Sequence, residues 1–132
     1  MEKGKCPNIW VEVGGYSFEL AYAQQCLVQR CYSRGGRHDF VANGRAWGPN
    51  VFVDCYAANS QNETGSHMKY ATGLLYDNIK IQAKQYPGDY GLIVRNRGQN
   101  HEHGQVGGQN VFWNFIGAES DSSLHTFFIF VR

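Results

Sequence analysis

The sequence lacks a strong charge of either sign and lacks any long apolar run. Its 12 Lys and Arg residues nearly balance 11 Asp and Glu residues, for a formal net charge of +1 at pH 7. Such a chain has no basic field to gather phosphates, so binding to DNA or to nucleic acid in general is not expected. The longest apolar run, Phe127 to Val131, is far shorter than the ~18 residues that cross a bilayer. We therefore expect no membrane span.

Cysteines are few, and they lack the paired spacing of a zinc site. Cys6, Cys26, Cys31 and Cys55 all lie in the first half of the chain. An even count in a small, Gly-rich chain predicts two disulfides and hence a secreted, extracellular protein. We predict the pairs Cys6–Cys26 and Cys31–Cys55, because Cys26 and Cys31 would point apart on a helix. The alternative is four reduced thiols in a cytosolic protein. We expect no cofactor and no metal.

The sequence does contain enough apolar bulk for one core. Its 132 residues are 42% hydrophobic and 14% aromatic, which predicts a single domain over 1–132. Apolar residues at helical spacing predict one helix from Phe18 to Ser33 and a second from Lys69 to Tyr86. For the second segment, the alternation of Ile79, Ile81 and Ala83 supports a strand instead.

Short strands and one repeated segment complete the predicted fold. Strands are expected at 51–56, at 110–116 and within 124–132, and Asn43-Gly44 predicts a hairpin turn. Gly48-Pro49-Asn50-Val51-Phe52 returns as Gly108-Gln109-Asn110-Val111-Phe112, which suggests an internal duplication with half-repeats 16–58 and 66–118. The predicted fold class is therefore α+β: two helix–strand–strand units that pack helices on an antiparallel sheet, joined by two disulfides.

The repeated strands place an acid or an amide between large apolar side chains. Phe52, Asp54 and Tyr56 alternate on the first strand, and Asn114 takes the place of Asp54 on the second. Sugars offer paired hydroxyls and an apolar ring face, which an Asp or Asn and an aromatic ring can contact. We therefore predict a secreted glycan-binding, lectin-like protein. A hydrogen bond inside the fold is the simpler explanation of each polar residue.

A polar loop at 99–109 supplies further candidates, because it holds His101-Glu102-His103 close to Arg97. The residues predicted to contact a ligand are Trp47, Asp54, Tyr56, Arg97, His101, Glu102, His103 and Asn114. The expected partner is a glycan or glycoprotein, and a homodimer through a sheet edge or an exposed aromatic face is one expected arrangement.

Two other functions fit the same residues. In an endoribonuclease, His101, Glu102, His103 and Arg97 would supply the base, the acid and the cation. A helix packed on an antiparallel sheet also resembles the general build of small secreted fungal ribonucleases. The glycines around this loop oppose rigid placement of a general base, so binding is expected ahead of catalysis. A non-enzymatic secreted effector that binds a host protein is the third hypothesis.

Overall fold

The computed structural model of the chain describes residues 15–83, 103–104, 107–118 and 124–131. Within these residues every regular element is a β-strand, and none is a helix that could cross a membrane. The strands are β1 (Tyr16–Ala21), β2 (Leu27–Gln29), β3 (Tyr32–Arg34), β4 (His38–Asn43), β5 (Trp47–Val53), β6 (Tyr56–Ser60), β7 (Gly65–Ser66), β8 (Thr72–Asp77), β9 (Lys80–Ala83), β10 (Asn110–Ala118) and β11 (Leu124–Val131).

Strands pair mainly with strands one turn of the chain later, and these pairs are parallel. One face is formed by β1, β4 and β7, a second by β2, β5, β8 and β10, and a third by β3, β6, β9 and β10. Leu27 pairs with Val51, and Val51 pairs with Leu75. One turn therefore takes 24 residues (51 − 27 and 75 − 51). The chain winds as a parallel β-helix with three faces, and each turn of it is called a rung below.

The last strands close the described coil differently. β10 spans a corner, because its first part pairs with β8 and its second part pairs with β9. β11 then pairs antiparallel with β10. From Leu75 to its partner Val111 the chain takes 36 residues (111 − 75), so the third rung carries an insertion of 12 residues relative to the first two.

The core is built from columns of side chains, with one member from each rung. Phe52 and Tyr76 have ring centroids 4.9 Å apart, and Tyr76 and Phe112 have centroids 4.7 Å apart, with planes within 14° of parallel. All three side chains are fully buried, and burial raises the pKa of the Tyr76 hydroxyl. The ring spacing equals the separation of neighbouring strands, about 4.8 Å, so the aromatic bulk of the sequence forms a continuous stack.

Buried asparagines at one corner join adjacent rungs. Asn50 accepts a hydrogen bond from the backbone amide of Cys26 at 3.0 Å, and Asn110 accepts one from the backbone amide of Leu74 at 3.1 Å. Each side chain also donates to a backbone carbonyl of the preceding rung. Both asparagines belong to the repeated Gly-x-Asn-Val-Phe segment, and the two copies occupy the same corner two rungs apart.

The predicted helices are wrong. Phe18 to Ser33 forms β1, β2 and β3, and the described part of Lys69 to Tyr86 contains β8 and β9. The apparent helical spacing arises at corners, where a residue with left-handed backbone such as Asp54 (φ 54°) interrupts the alternation. Buried Phe52 and Cys55 are therefore three residues apart rather than two. In the second segment, the alternative strand interpretation agrees with β9.

The predicted antiparallel sheet and disulfides are also wrong. Among the described pairs only β10 with β11 is antiparallel, and Asn43-Gly44 joins β4 to β5, which lie on different faces. Cys26, Cys31 and Cys55 form no disulfide, while Cys6 lies outside the described residues. These thiols act as small core residues, and burial, followed by the nearby Asp54 charge, raises the pKa of Cys55.

Candidate functional site

One corner of the coil presents a polar row on the surface. Arg30, Asp54, Asn78 and Asn114 occupy equivalent positions on four rungs, and all have positive φ (54°, 54°, 52° and 49°). We call these four residues the corner strip. Asn and Asp tolerate this conformation better than most residues. It lets each backbone amide bond the next rung, as in the 3.0 Å bond from the Asp54 amide to the Asp77 carbonyl.

Side-chain hydrogen bonds connect the strip from rung to rung. Asn78 Nδ2 donates to Asp54 Oδ1 at 2.7 Å, and Asn114 Nδ2 donates to Asn78 Oδ1 at 3.3 Å. All three side chains are exposed. A carboxylate and two amides are therefore held on the surface at the spacing of neighbouring strands, about 4.8 Å.

Aromatic rings lie on both sides of the corner strip. Tyr32 and Tyr56 have ring centroids 5.5 Å apart on one side, and Lys80 Nζ lies 5.7 Å from the Tyr56 centroid. The Tyr56 hydroxyl donates to Gln82 Oε1 at 2.8 Å. On the other side Trp113, the residue before Asn114, is 49% exposed. The strip is therefore a polar ladder between apolar surfaces.

Three of the predicted ligand residues meet here, namely Asp54, Tyr56 and Asn114. Phe52, which the alternation placed on the same face, lies in the core because the corner reverses the alternation. Trp47 is 55% exposed, but it begins β5, about 20 Å along the strand from Asp54 at 3.3 Å per residue. Trp47 therefore does not share a small site with the strip.

The predicted polar loop is described only in part. Arg97, His101 and Glu102 lie outside the described residues. The ring of His103 is 4.9 Å from that of His67 at an interplanar angle of 86°. Most of the predicted ribonuclease residues therefore have no described position relative to one another.

Sequence reasoning missed Asn78, Tyr32 and Trp113 as members of this surface, although a signal is present. Aligned by strand register, four segments superimpose: 27–32 (LVQRCY), 51–56 (VFVDCY), 75–80 (LYDNIK) and 111–116 (VFWNFI). Each has a charged or amide residue in fourth place. The 24-residue repeat is hidden because the third segment shares almost no residue with the others.

A second cluster is buried on the first face of the coil. His38, Glu63 and His67 are 2%, 5% and 5% exposed, and one potential ligand atom from each lies within 4.8 Å of the others. His38 Nδ1 is 2.9 Å from the Glu63 carbonyl oxygen. The closest imidazole-to-carboxylate distances are 3.9 Å from His38 and 3.7 Å from His67. This donor set is one that could hold a metal ion.

Tyr16 borders this cluster. Its hydroxyl is 3.1 Å from His67 Nε2, and its ring centroid is 5.1 Å from that of His38. Burial, and then the positive charge of Arg37, lowers the pKa of His67, whereas Glu19 acts in the opposite sense. Sequence reasoning did not group these residues, because only Glu63 and His67 are close in the chain and the coil brings His38 to them.

Comparison with protein-family models, with curated proteins and with solved structures finds no match to this chain. The fold and the corner strip define a parallel β-helix with an exposed polar ladder. Its chemistry is the basis for the function proposed next.

Proposed function

We propose that this protein binds glycans through the corner strip and the aromatic rings beside it. The observation that carries the proposal is the exposed ladder of Asp54, Asn78 and Asn114. Trp113 lies on one side of it, and the Tyr32–Tyr56 pair lies on the other. Polar groups between aromatic faces are what a sugar ring requires.

The two kinds of group match the two surfaces of a sugar. Each sugar hydroxyl both donates and accepts, so the Asp54 carboxylate can accept from one hydroxyl while an amide of Asn78 or Asn114 donates to another. The apolar face of a pyranose ring can lie on an indole or phenol ring. Because the strands hold the ladder in place before a ligand arrives, little side-chain entropy is lost on binding.

The shape of the strip favours an extended ligand. Its four rungs cover about 14 Å at the usual strand spacing, which is longer than one sugar ring. We therefore expect oligosaccharides to bind more tightly than monosaccharides. Glycans of this kind occur mainly on secreted proteins and cell surfaces, so secretion remains part of the proposal on the basis of ligand chemistry rather than of cysteines.

The test is a glycan array followed by calorimetric titration of the best oligosaccharide. Asn114→Ala should weaken binding by about 1–3 kcal/mol through lost hydrogen bonds. Because Asn114 is exposed, the thermal midpoint should stay close to wild type.

Two tryptophans provide a matched comparison, since Trp113 and Trp47 are exposed to similar extents, 49% and 55%. Trp113→Ala should reduce affinity at least tenfold, and Trp47→Ala should leave it near wild type. A silent array, or equal losses in the two variants, would show that the strip is not a glycan site. Cleavage of a long RNA in the presence of chelator would instead favour the ribonuclease hypothesis.

A further inference from the structure

We infer that His38, Glu63 and His67 form a structural zinc site, separate from the corner strip and independent of glycan binding. Two imidazoles and one carboxylate are ligands that Zn²⁺ accepts in proteins. In this cluster one potential ligand atom from each residue lies within 4.8 Å of the others. The three residues come from two rungs, since His38 begins β4 whereas Glu63 and His67 flank β7.

The distances within the cluster suit a shared ion better than direct hydrogen bonds. His67 Nδ1 lies 3.7 Å from Glu63 Oε1, which is too long for a hydrogen bond. Two ligands on a tetrahedral zinc with bonds of 2.0–2.1 Å are about 3.4 Å apart. A movement of a few tenths of an ångström would therefore allow both atoms to bind one ion.

An unpartnered buried atom points to the same place. Within the described part of the chain, His67 Nδ1 has no hydrogen-bond partner, although the residue is 95% buried at 5% exposure. Such a nitrogen loses its hydrogen bond to water on folding and would gain nothing in return. A metal ion between His67 and Glu63 would give its lone pair a partner.

Neighbouring groups orient both imidazoles as metal ligands require. A carbonyl oxygen only accepts, so the 2.9 Å contact between His38 Nδ1 and the Glu63 carbonyl places the proton on Nδ1 and the lone pair on Nε2. In His67 the Tyr16 hydroxyl lies 3.1 Å from Nε2. When Nε2–H donates to that oxygen, the lone pair is on Nδ1, beside Glu63. Metal-binding histidines usually donate their second ring N–H to such a partner.

Burial and position define the role of this site. All three side chains are at most 5% exposed, so substrate has little access and the site resembles a closed structural one. An ion here would join the second rung to the third on the first face. β7, which consists of Gly65–Ser66 alone, contributes few hydrogen bonds to that face.

The experiment uses the full chain, stripped with chelator and titrated with Zn²⁺ alone by calorimetry. We expect one ion per chain with a submicromolar dissociation constant. A hundredfold excess over that constant should raise the thermal midpoint by roughly 5–10 °C, and chelator should reverse the rise. Glu63→Gln and His67→Gln should each weaken binding at least about tenfold. His103→Gln, a neighbour outside the three ligands, should bind as the wild type does.

A cobalt spectrum keeps the test decisive if the ligand variants fail to fold. Co²⁺ in the wild-type protein should give visible bands of a tetrahedral site without a near-ultraviolet thiolate band, since the competing ligands are Cys26, Cys31 and Cys55. Absence of zinc binding, a thiolate band, or folded Glu63→Gln protein with wild-type affinity would each overturn the assignment.

Discussion

Replacing Asn110 by alanine should destabilise the coil strongly, because this fully buried side chain connects three segments of backbone. It accepts from the Leu74 amide at 3.1 Å and donates to the carbonyls of Ala71 and Gly107 at 3.1 and 2.9 Å. It also lies 3.2 Å from the Ser66 hydroxyl. Alanine removes all of these bonds and leaves the backbone groups inside the protein.

The magnitude follows from the groups that are left without partners. A buried polar group whose partner is removed costs about 1–3 kcal/mol. The Leu74 amide loses its bond, and the Ala71 and Gly107 carbonyls each lose a donor. We expect the free energy of unfolding to fall by about 3 kcal/mol in total, since water entering the space left by the amide offsets part of the loss. With a urea dependence of about 1.5–2 kcal/mol per molar, the midpoint should fall by roughly 1.5–2 M.

Urea denaturation followed by far-ultraviolet circular dichroism measures this shift. The matched control is Asn114→Ala, which removes an exposed asparagine from the same strand and should change stability by less than about 0.5 kcal/mol. Asn110→Asp keeps an acceptor for the Leu74 amide but places a carboxylate against the Ala71 carbonyl, so it should not rescue stability. If Asn110→Ala unfolds within 0.5 kcal/mol of wild type, as an exposed position would, the proposed role of this side chain in joining rungs is refuted.

Two further predictions concern the thiols and one close backbone contact. Without reductant, iodoacetamide should label Cys26 much faster than Cys55, because burial shields the Cys55 thiol and raises its pKa; peptide mass spectrometry that finds equal rates would contradict this placement. Gly48→Ala should cost more than about 2 kcal/mol, since its new Cβ would lie 2.0 Å from the Gly73 carbonyl oxygen, whereas Gly44→Ala, with 3.5 Å to the nearest atom, should be nearly neutral. Similar thermal midpoints for the two variants would show that rungs do not approach closely at Gly48.

The sequence predicts the longer strands better than the fold that contains them. β10 overlaps the expected strand at 110–116, because its nine residues are rich in apolar and aromatic side chains. β2 and β3 are three residues each, too short for an alternation to be seen, and the corner between them gives a spacing that imitates a helix. Asn43-Gly44 predicts a local hairpin, yet the chain continues to the next face. Pairing at 24-residue separation leaves little mark on any local window.

Part of the candidate site was also within reach of sequence reasoning. Asp54 and Asn114 were identified because each interrupts an apolar strand in a repeated context, and the structure places both on one exposed row. Asn78 escaped because its segment has diverged from the others. The buried His38, Glu63 and His67 cluster depends on the winding of the chain, which separates contacting residues by 25 positions (63 − 38), so no local motif could indicate it.

The antiparallel pairing of β11 with β10 has a consequence for the order of folding. Ala118 and its partner Leu124 are only six residues apart (124 − 118), whereas parallel partners such as Leu27 and Val51 are 24 apart. Closing the longer loop costs about 1 kcal/mol more in chain entropy. Contacts between near residues also form sooner than distant ones. We therefore expect the hairpin of β10 and β11 to nucleate folding and the rungs to add to it toward the amino terminus.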